Sequence, residues 1–185
     1  MRCSGERSGR DNPAACLRPD GGVLVIYKAV QYVEGKEMGS NVRFGAAIAT
    51  SPEGPYVKTL GKIFEAEKPG KSWMLAEDPF IWFSQKYGNR YYAVARDVTG
   101  TFSGSPGGLC LFHSEDGLTW KPSPHAKVLG DSYPLEDGSM SKSRIERPFV
   151  LLENDEPSYL FGAADGYLKN GRISTNVQFP IAPTK

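Results

Sequence analysis

The chain has 185 residues, and its 22 basic and 21 acidic side chains leave a net charge of +1. That balance offers no cationic surplus for a phosphate backbone, which argues against nucleic acid as a partner. No run of about 18 apolar residues is present to cross a membrane as a helix. Glycine (21) and proline (14) are abundant while apolar residues make up 39%, which excludes a chain that is mainly disordered and indicates a turn-rich globular one.

The first ten residues, MRCSGERSGR, contain no apolar stretch of the signal-peptide kind, and residues 1–10 read as a disordered or artefactual N-terminus. Cys3, Cys16 and Cys110 are an odd, widely spaced set. They have neither a disulfide framework nor zinc spacing and read as buried or incidental thiols. From there the apolar segments are short, β-rich and bounded by turn residues. Residues 23–30 (VLVIYKAV) follow Asp20-Gly21-Gly22, and residues 44–50 (FGAAIAT) run into Ser51-Pro52-Glu53-Gly54-Pro55. Residues 80–83 and 91–96 flank Lys86-Tyr87-Gly88-Asn89, a hairpin signal. The glycine-rich stretch 99–108 contains no lysine and precedes no helical pattern, so it reads as a loop at the rim of a pocket and not as a phosphate cradle. Residues 109–113 enter the turn Ser114-Glu115-Asp116-Gly117, closed by Trp120, and the proline-rich Pro122-Ser123-Pro124-His125 reads as an exposed loop. Residues 149–152 and 159–163 flank Asn154-Asp155-Glu156-Pro157, and residues 177–181 form the last strand.

These pieces repeat. A polar residue and a proline open each unit, as Asn12-Pro13, Asp78-Pro79 and Arg147-Pro148, at spacings of 66 and 69 positions. An apolar strand, a tight turn and a second apolar strand follow each time. In the first two units a third strand then enters a Ser-x-x-Gly turn. The predicted class is therefore all-β, with antiparallel sheets arranged as β-propeller blades over residues 11–60, 74–122 and 144–182 of a single partial domain, 11–185. About 2.5–3 blades cannot close a ring, so the chain reads as a portion of a larger wheel or as one that self-associates.

In a propeller the innermost strands begin around a shared central funnel. Here those starts carry Asn12, then Glu77 and Asp78, then Glu146 and Arg147. Carboxylates from adjacent blades converging on one pocket are what glycosidic cleavage requires: one protonates the leaving oxygen, one activates water or attacks the sugar, and a third raises the acid's pKa by like-charge proximity. Asp78 and Glu146 are the catalytic candidates, with Glu77 as support on the opposite side of the strand. Asn12, Trp73, Arg96, Arg147 and His113 are candidates for substrate binding: Asn12 through hydrogen bonds to hydroxyls, and Trp73 as a stacking platform. Arg96 either lines the pocket or pairs with Asp97. Glu146 between Arg144 and Arg147 also reads as a structural ion pair. Trp82 and Trp120 read as core, and His113 has no second histidine with which to hold a metal.

Residues 75–82 (LAEDPFIW), 144–151 (RIERPFVL), 51–56 (SPEGPY) and 114–120 (SEDGLTW) resemble the five-bladed propeller glycoside hydrolases of family 43 and its relatives, families 32 and 117. Residues 12–27 resemble the opening of a non-catalytic blade in the same proteins. Residues 161–181, with an Ala-Asp-Gly turn before a final strand, resemble one of their endings. The resemblance implies a hydrolase of poly- or oligosaccharides in which Asp78 tunes the acid and Glu146 is the proton donor. It also implies a base, an aspartate from a blade further upstream. Asn12, the matching position here, is an amide, and Asp11 has the wrong offset. The chain by itself is therefore expected to be incomplete or inactive and N-terminally truncated; its localisation is open, and a secreted or periplasmic full-length form would require an upstream signal peptide. A family-43 mechanism would invert, with base and acid about 6.5–9.5 Å apart, and a family-32 mechanism would retain, at about 5–5.5 Å. No cofactor is expected beyond the structural calcium or sodium ion that the resemblance places on the axis. The alternatives are a propeller glycoside phosphorylase, for which Arg144 and Arg147 would hold phosphate, and a non-catalytic carbohydrate-binding propeller.

Overall fold

The structure, a computed structural model, describes residues 12–30, 42–66, 74–168 and 171–182. The segment 1–10 and Trp73 lie outside these described residues. Three antiparallel meanders follow one another along the chain. The first sheet is β1 (Ala14–Leu17), β2 (Val23–Val30), β3 (Val42–Ala49) and β4 (Val57–Thr59), in that spatial order. The second is β5 (Ala76–Ser84), β6 (Arg90–Asp97), β7 (Leu109–Ser114) and β8 (Lys121–Leu129). A small hairpin, β9 (Tyr133–Pro134) with β10 (Met140–Ser141), leads to the third sheet. That sheet is β11 (Ile145–Glu153), β12 (Glu156–Leu168) and β13 (Gly171–Pro180). Each strand pairs with the next in sequence, because turns such as Arg18-to-Gly22 and Gln85-to-Asn89 reverse the chain within a few residues.

Two segments depart from the sequence reading. The proline-rich stretch 122–125 is not a loop but part of strand β8. Proline is tolerated there because β8 is the outer strand of its sheet and needs hydrogen bonds on one side only. The Ala-Asp-Gly stretch 164–166 is not a turn: β12 runs through it, pairing Asp165 with Ser174 and Gly166 with Ile173. Turn-prone residues were overridden by a ladder that continues to Leu168.

The sheets stack face to face through two cores. Leu24, Ile26 and Ala46 of the first sheet meet Ile81, Tyr91, Ala93, Phe112 and Trp120 of the second. Phe64, from the connecting segment, plugs this interface, its ring 4.6 Å from that of Phe112 and 5.7 Å from that of Trp120. Trp82, Val94 and Leu109 of the second sheet meet Ile145, Val150 and Leu160 of the third, with Tyr133 of the β9–β10 hairpin added. Each such side chain contributes about 1.5–3 kcal/mol on burial, so the sheets depend on one another for their apolar cover. Trp82 and Trp120 are buried, as the sequence reading places them. Cys110 is buried and Cys16 half-buried, and both thiols are free. Burial pushes the Cys16 thiol up to about 12.

The outer turn of the second sheet is held by Asp116. Its carboxylate accepts the Leu118 and Thr119 N–H groups at 2.7 Å each and the Ser114 hydroxyl at 2.9 Å. Burial opposes the charge, but the N–H groups of Thr119 and Leu118 and the hydroxyls of Ser114 and Thr119 outweigh it and hold the Asp116 carboxyl below its usual range. A depressed carboxyl stabilises the fold above its unfolded pKa, near ~3.9, and loses that contribution as pH falls through the folded value. Asp116→Asn should therefore lower the thermal midpoint at pH 7. The gap between parent and variant should close as pH falls below about 4, measured by thermal melts across that range; a gap independent of pH would show that the charge of Asp116 is not what holds the turn.

Candidate functional site

The starts of β5 and β11 share one backbone device. In β5 the register jumps between Glu77, opposite Arg96, and Phe80, opposite Val94. In β11 it jumps between Glu146, opposite Ala163, and Phe149, opposite Phe161. Two residues thus face one on the partner strand, which defines a β-bulge. The inserted pairs are Asp78-Pro79 and Arg147-Pro148. Asp78 and Arg147 both have φ of 50°, the left-handed region that L-residues other than Asn and Asp seldom occupy. Proline fits beside each because a bulge does not require its missing N–H. In β12, glycine is required opposite the second bulge, since a Cβ on Gly162 would lie 2.2 Å from Ile145 Cγ2. The strand at Glu77 and Asp78 is therefore bulged and not regularly extended, and the bulge aims the two neighbouring carboxylates at different partners.

Those partners form a chain of alternating charge across all three sheets. Lys28 Nζ of β2 lies 3.3 Å from Glu77 Oε1. Arg96 Nη1 of β6 is 2.8 Å from Glu77 Oε2 and 3.3 Å from Glu146 Oε1. Arg144 Nε, just before β11, is 3.1 Å from the same Glu146 oxygen. Lys28 and Arg96 side chains are only 10% and 11% exposed, Glu77 19% and Glu146 27%, so their pairs are largely withdrawn from water, while Arg144 is exposed. One residue over, the Asn12 amide donates to Asp78 Oδ1, and Asp78 is buried. Arg96 Nε is buried without a hydrogen-bond partner.

The structure thus gathers Asn12, Asp78, Glu146 and Arg96 from the predicted set, with Glu77. Arg96 does not pair with Asp97. Asp97, fully buried, instead accepts the N–H groups of Gly100, Phe102 and Ser103 at 2.7–2.9 Å and so pins the glycine-rich loop. Asn12 spends its amide on Asp78. Arg147 is exposed on the bulge beside Glu146. His113 stands apart, near the opposite end of β7 from Leu109, which is the residue paired with Arg96. Its Nδ1 lies 3.4 Å from Ser123 Oγ. Burial first, and then the charges of Arg90 and Lys121, hold its pKa below the usual histidine value. Trp73 is outside the described residues. Lys28 and the Arg144–Glu146 contact through Nε complete the network; Lys28 sits in a strand that reads from sequence as purely structural. For the axial ion, no group of three His, Cys, Asp or Glu side chains is arranged to hold a metal among the described residues, and the carboxylates at the funnel already face Lys28, Arg96, Arg144 or Asn12. The described residues therefore do not fit that ion.

No family model matches the chain, and no curated protein matches it. Solved structures do. An endo-arabinase from Bacteroides thetaiotaomicron aligns with a TM-score of 0.50 at 12% identity, over 90% of this chain and 54% of that one. An alpha-L-arabinanase from Cellvibrio cellulosa aligns with a TM-score of 0.50 at 19% identity, over 90% of this chain and 50% of that one. The chain spans about half the length of these neighbours, and likeness at such identity shows the fold: these sheets are β-propeller blades.

Breaking one arm of a buried ion network leaves an uncompensated charge. Arg96→Met should cost about 3 kcal/mol in urea unfolding. Adding Glu77→Gln to Arg96→Met should restore part of that loss, because it removes a stranded carboxylate; strictly additive losses would show that the two residues do not interact.

Proposed function

We propose that these blades belong to a glycoside hydrolase that cleaves O-glycosidic bonds of a poly- or oligosaccharide. The observation that carries this reading is the meeting of Glu77 and Glu146, from corresponding positions of two adjacent blades, around one guanidinium, with Asp78 one residue on and held by Asn12. The blades share their fold with an endo-arabinase and an alpha-L-arabinanase, which supports a carbohydrate as the substrate class. In this reading Glu146 is the proton donor to the leaving oxygen. Asp78, fixed by Asn12, contributes negative charge that steadies the positive charge developing on the sugar ring. Arg96 and Lys28 anchor Glu77, so that the carboxylates keep fixed directions. The base comes from beyond the three described blades, and the isolated chain should then show no turnover.

A second reading rests on a specific contact. Glu146 Oε1 is approached by both Arg96 and Arg144, the arrangement expected of a purely structural carboxylate in a carbohydrate-binding propeller. One substitution separates the two. In the full-length protein, Glu146→Gln should lower hydrolysis of oligosaccharides by about 10²–10⁴-fold while leaving their binding within a few-fold, measured by reducing-end release and by calorimetry. Turnover equal to that of the parent would remove Glu146 as the acid.

A further inference from the structure

The three polar residues that precede the blade prolines hold corresponding places in successive sheets, but their partners differ. Asn12 gives its amide to Asp78 Oδ1, so the first two satisfy one another. The third, Arg147, stands on the same kind of bulge as Asp78 and at the same φ of 50°. Asp78 is buried, whereas Arg147 is exposed. The neighbouring guanidinium groups are committed: Arg144 lies 3.1 Å from Glu146, and Arg96 lies 2.8 Å from Glu77 and 3.3 Å from Glu146. Arg147 makes no ion pair or hydrogen bond among the described residues.

Folding gives no reason for an arginine at this place. Left-handed backbone suits glycine, and asparagine or aspartate tolerate it. Asp78 follows that preference and Arg147 breaks it. The packing that holds the bulge, Phe80 against Phe149, needs no arginine at 147. A residue kept in a sparsely populated region without a structural return points to a function. In the second blade the bulge residue reaches back to Asn12 of the preceding blade. The same register jump and the same φ turn Arg147 back toward the second blade, a neighbour that is present, and so over the inner rim beside Glu146. The carboxylates there would not repel an anion unaided: Lys28 and Arg96 face Glu77, and Arg96 and Arg144 face Glu146.

We propose that the saccharide taken by this site is acidic, and that Arg147 selects it by holding an oxyanion of the sugar, a uronate carboxylate or a sulfate ester, beside Glu146. The planar fork of a guanidinium pairs with either oxyanion through two parallel N–H donors, which a lysine cannot do. Arg147 has no part in bond breaking here; it sets which sugar is accepted. This inference rests on the glycosidase reading and adds the substrate class to it.

Calorimetry on the full-length protein tests it with matched saccharides: galactotriose against trigalacturonate, galactotriose against its 6-sulfate, and cellotriose against its C6-oxidised triuronate. In at least one pair the acidic member should bind about tenfold more tightly than the neutral one, and the pair that shows this identifies the oxyanion. Arg147→Asn keeps a residue suited to left-handed backbone. It should reduce that preference to about threefold or less while leaving neutral affinity within about twofold, and Arg147→Lys should retain part of the preference. The thermal midpoint of Arg147→Asn should equal or exceed that of the parent. Neutral members bound as well as acidic ones in every pair, or a preference that survives in Arg147→Asn, would overturn this inference and leave the glycosidase reading standing. No binding of any member at millimolar concentration would overturn both. A midpoint several degrees lower in Arg147→Asn would return the arginine to a structural role and overturn the inference. So would inorganic phosphate bound more tightly than every acidic saccharide, if that binding is lost in Arg147→Asn.

Discussion

The left-handed residue before proline, repeated at Asp78 and Arg147, is the constraint on which the rest of the inner face depends. A regular strand would send successive side chains to opposite faces of its sheet. The bulge interrupts that alternation at one point, so that Asp78 turns to Asn12 of the preceding blade while Glu77 meets Lys28 and Arg96. Such backbone costs on the order of 1–3 kcal/mol at each site, and the residue before proline is already restricted. The same deviation in two blades, 69 positions apart, is compensated by the packing of Phe80 on Phe149, whose rings are 4.7 Å apart. Strain held in this way is concentrated where a fold does chemistry or binds a ligand.

Charge pairing then does at the hub what apolar packing does further out. The two cores join neighbouring sheets pairwise. The Lys28–Glu77–Arg96–Glu146–Arg144 series touches all three. In the weakly solvated centre, ions of one sign could not stand together without partners. A sugar entering such a funnel would find carboxylates whose directions are already fixed, which spares the cost of ordering them on binding.

Much of this was legible in the residues. The x-Pro spacing located the three sheets, the turn dipeptides located their hairpins, and the carboxylates ahead of Pro79 and Pro148 lie at the starts of β5 and β11. What escaped had physical reasons. Pro122 and Pro124 read as breakers because a sequence does not show which strand has a vacant side. Asp165 and Gly166 read as a turn because local preference is silent about a ladder formed with residues that come later. Lys28 lies inside an apolar β-rich segment, and nothing near it in sequence announces Glu77, 49 residues away. Arg96 and Asp97 are adjacent yet serve opposite ends of the site, one bridging carboxylates and the other capping backbone N–H groups. Adjacency suggested a pair; strand alternation separated them.

The outer strand β8 has a bearing on how such a molecule can be extended. It carries Pro122 and Pro124 among Lys121 and Lys127, so two amide donors are missing from its first half and the lysines disfavour a like-charged neighbour. A fifth strand is disfavoured there. The second sheet thereby resists lateral growth, which favours new material laid down as another sector about the hub. The width of a spoke is set by two imino acids, while the circumference stays open to duplication.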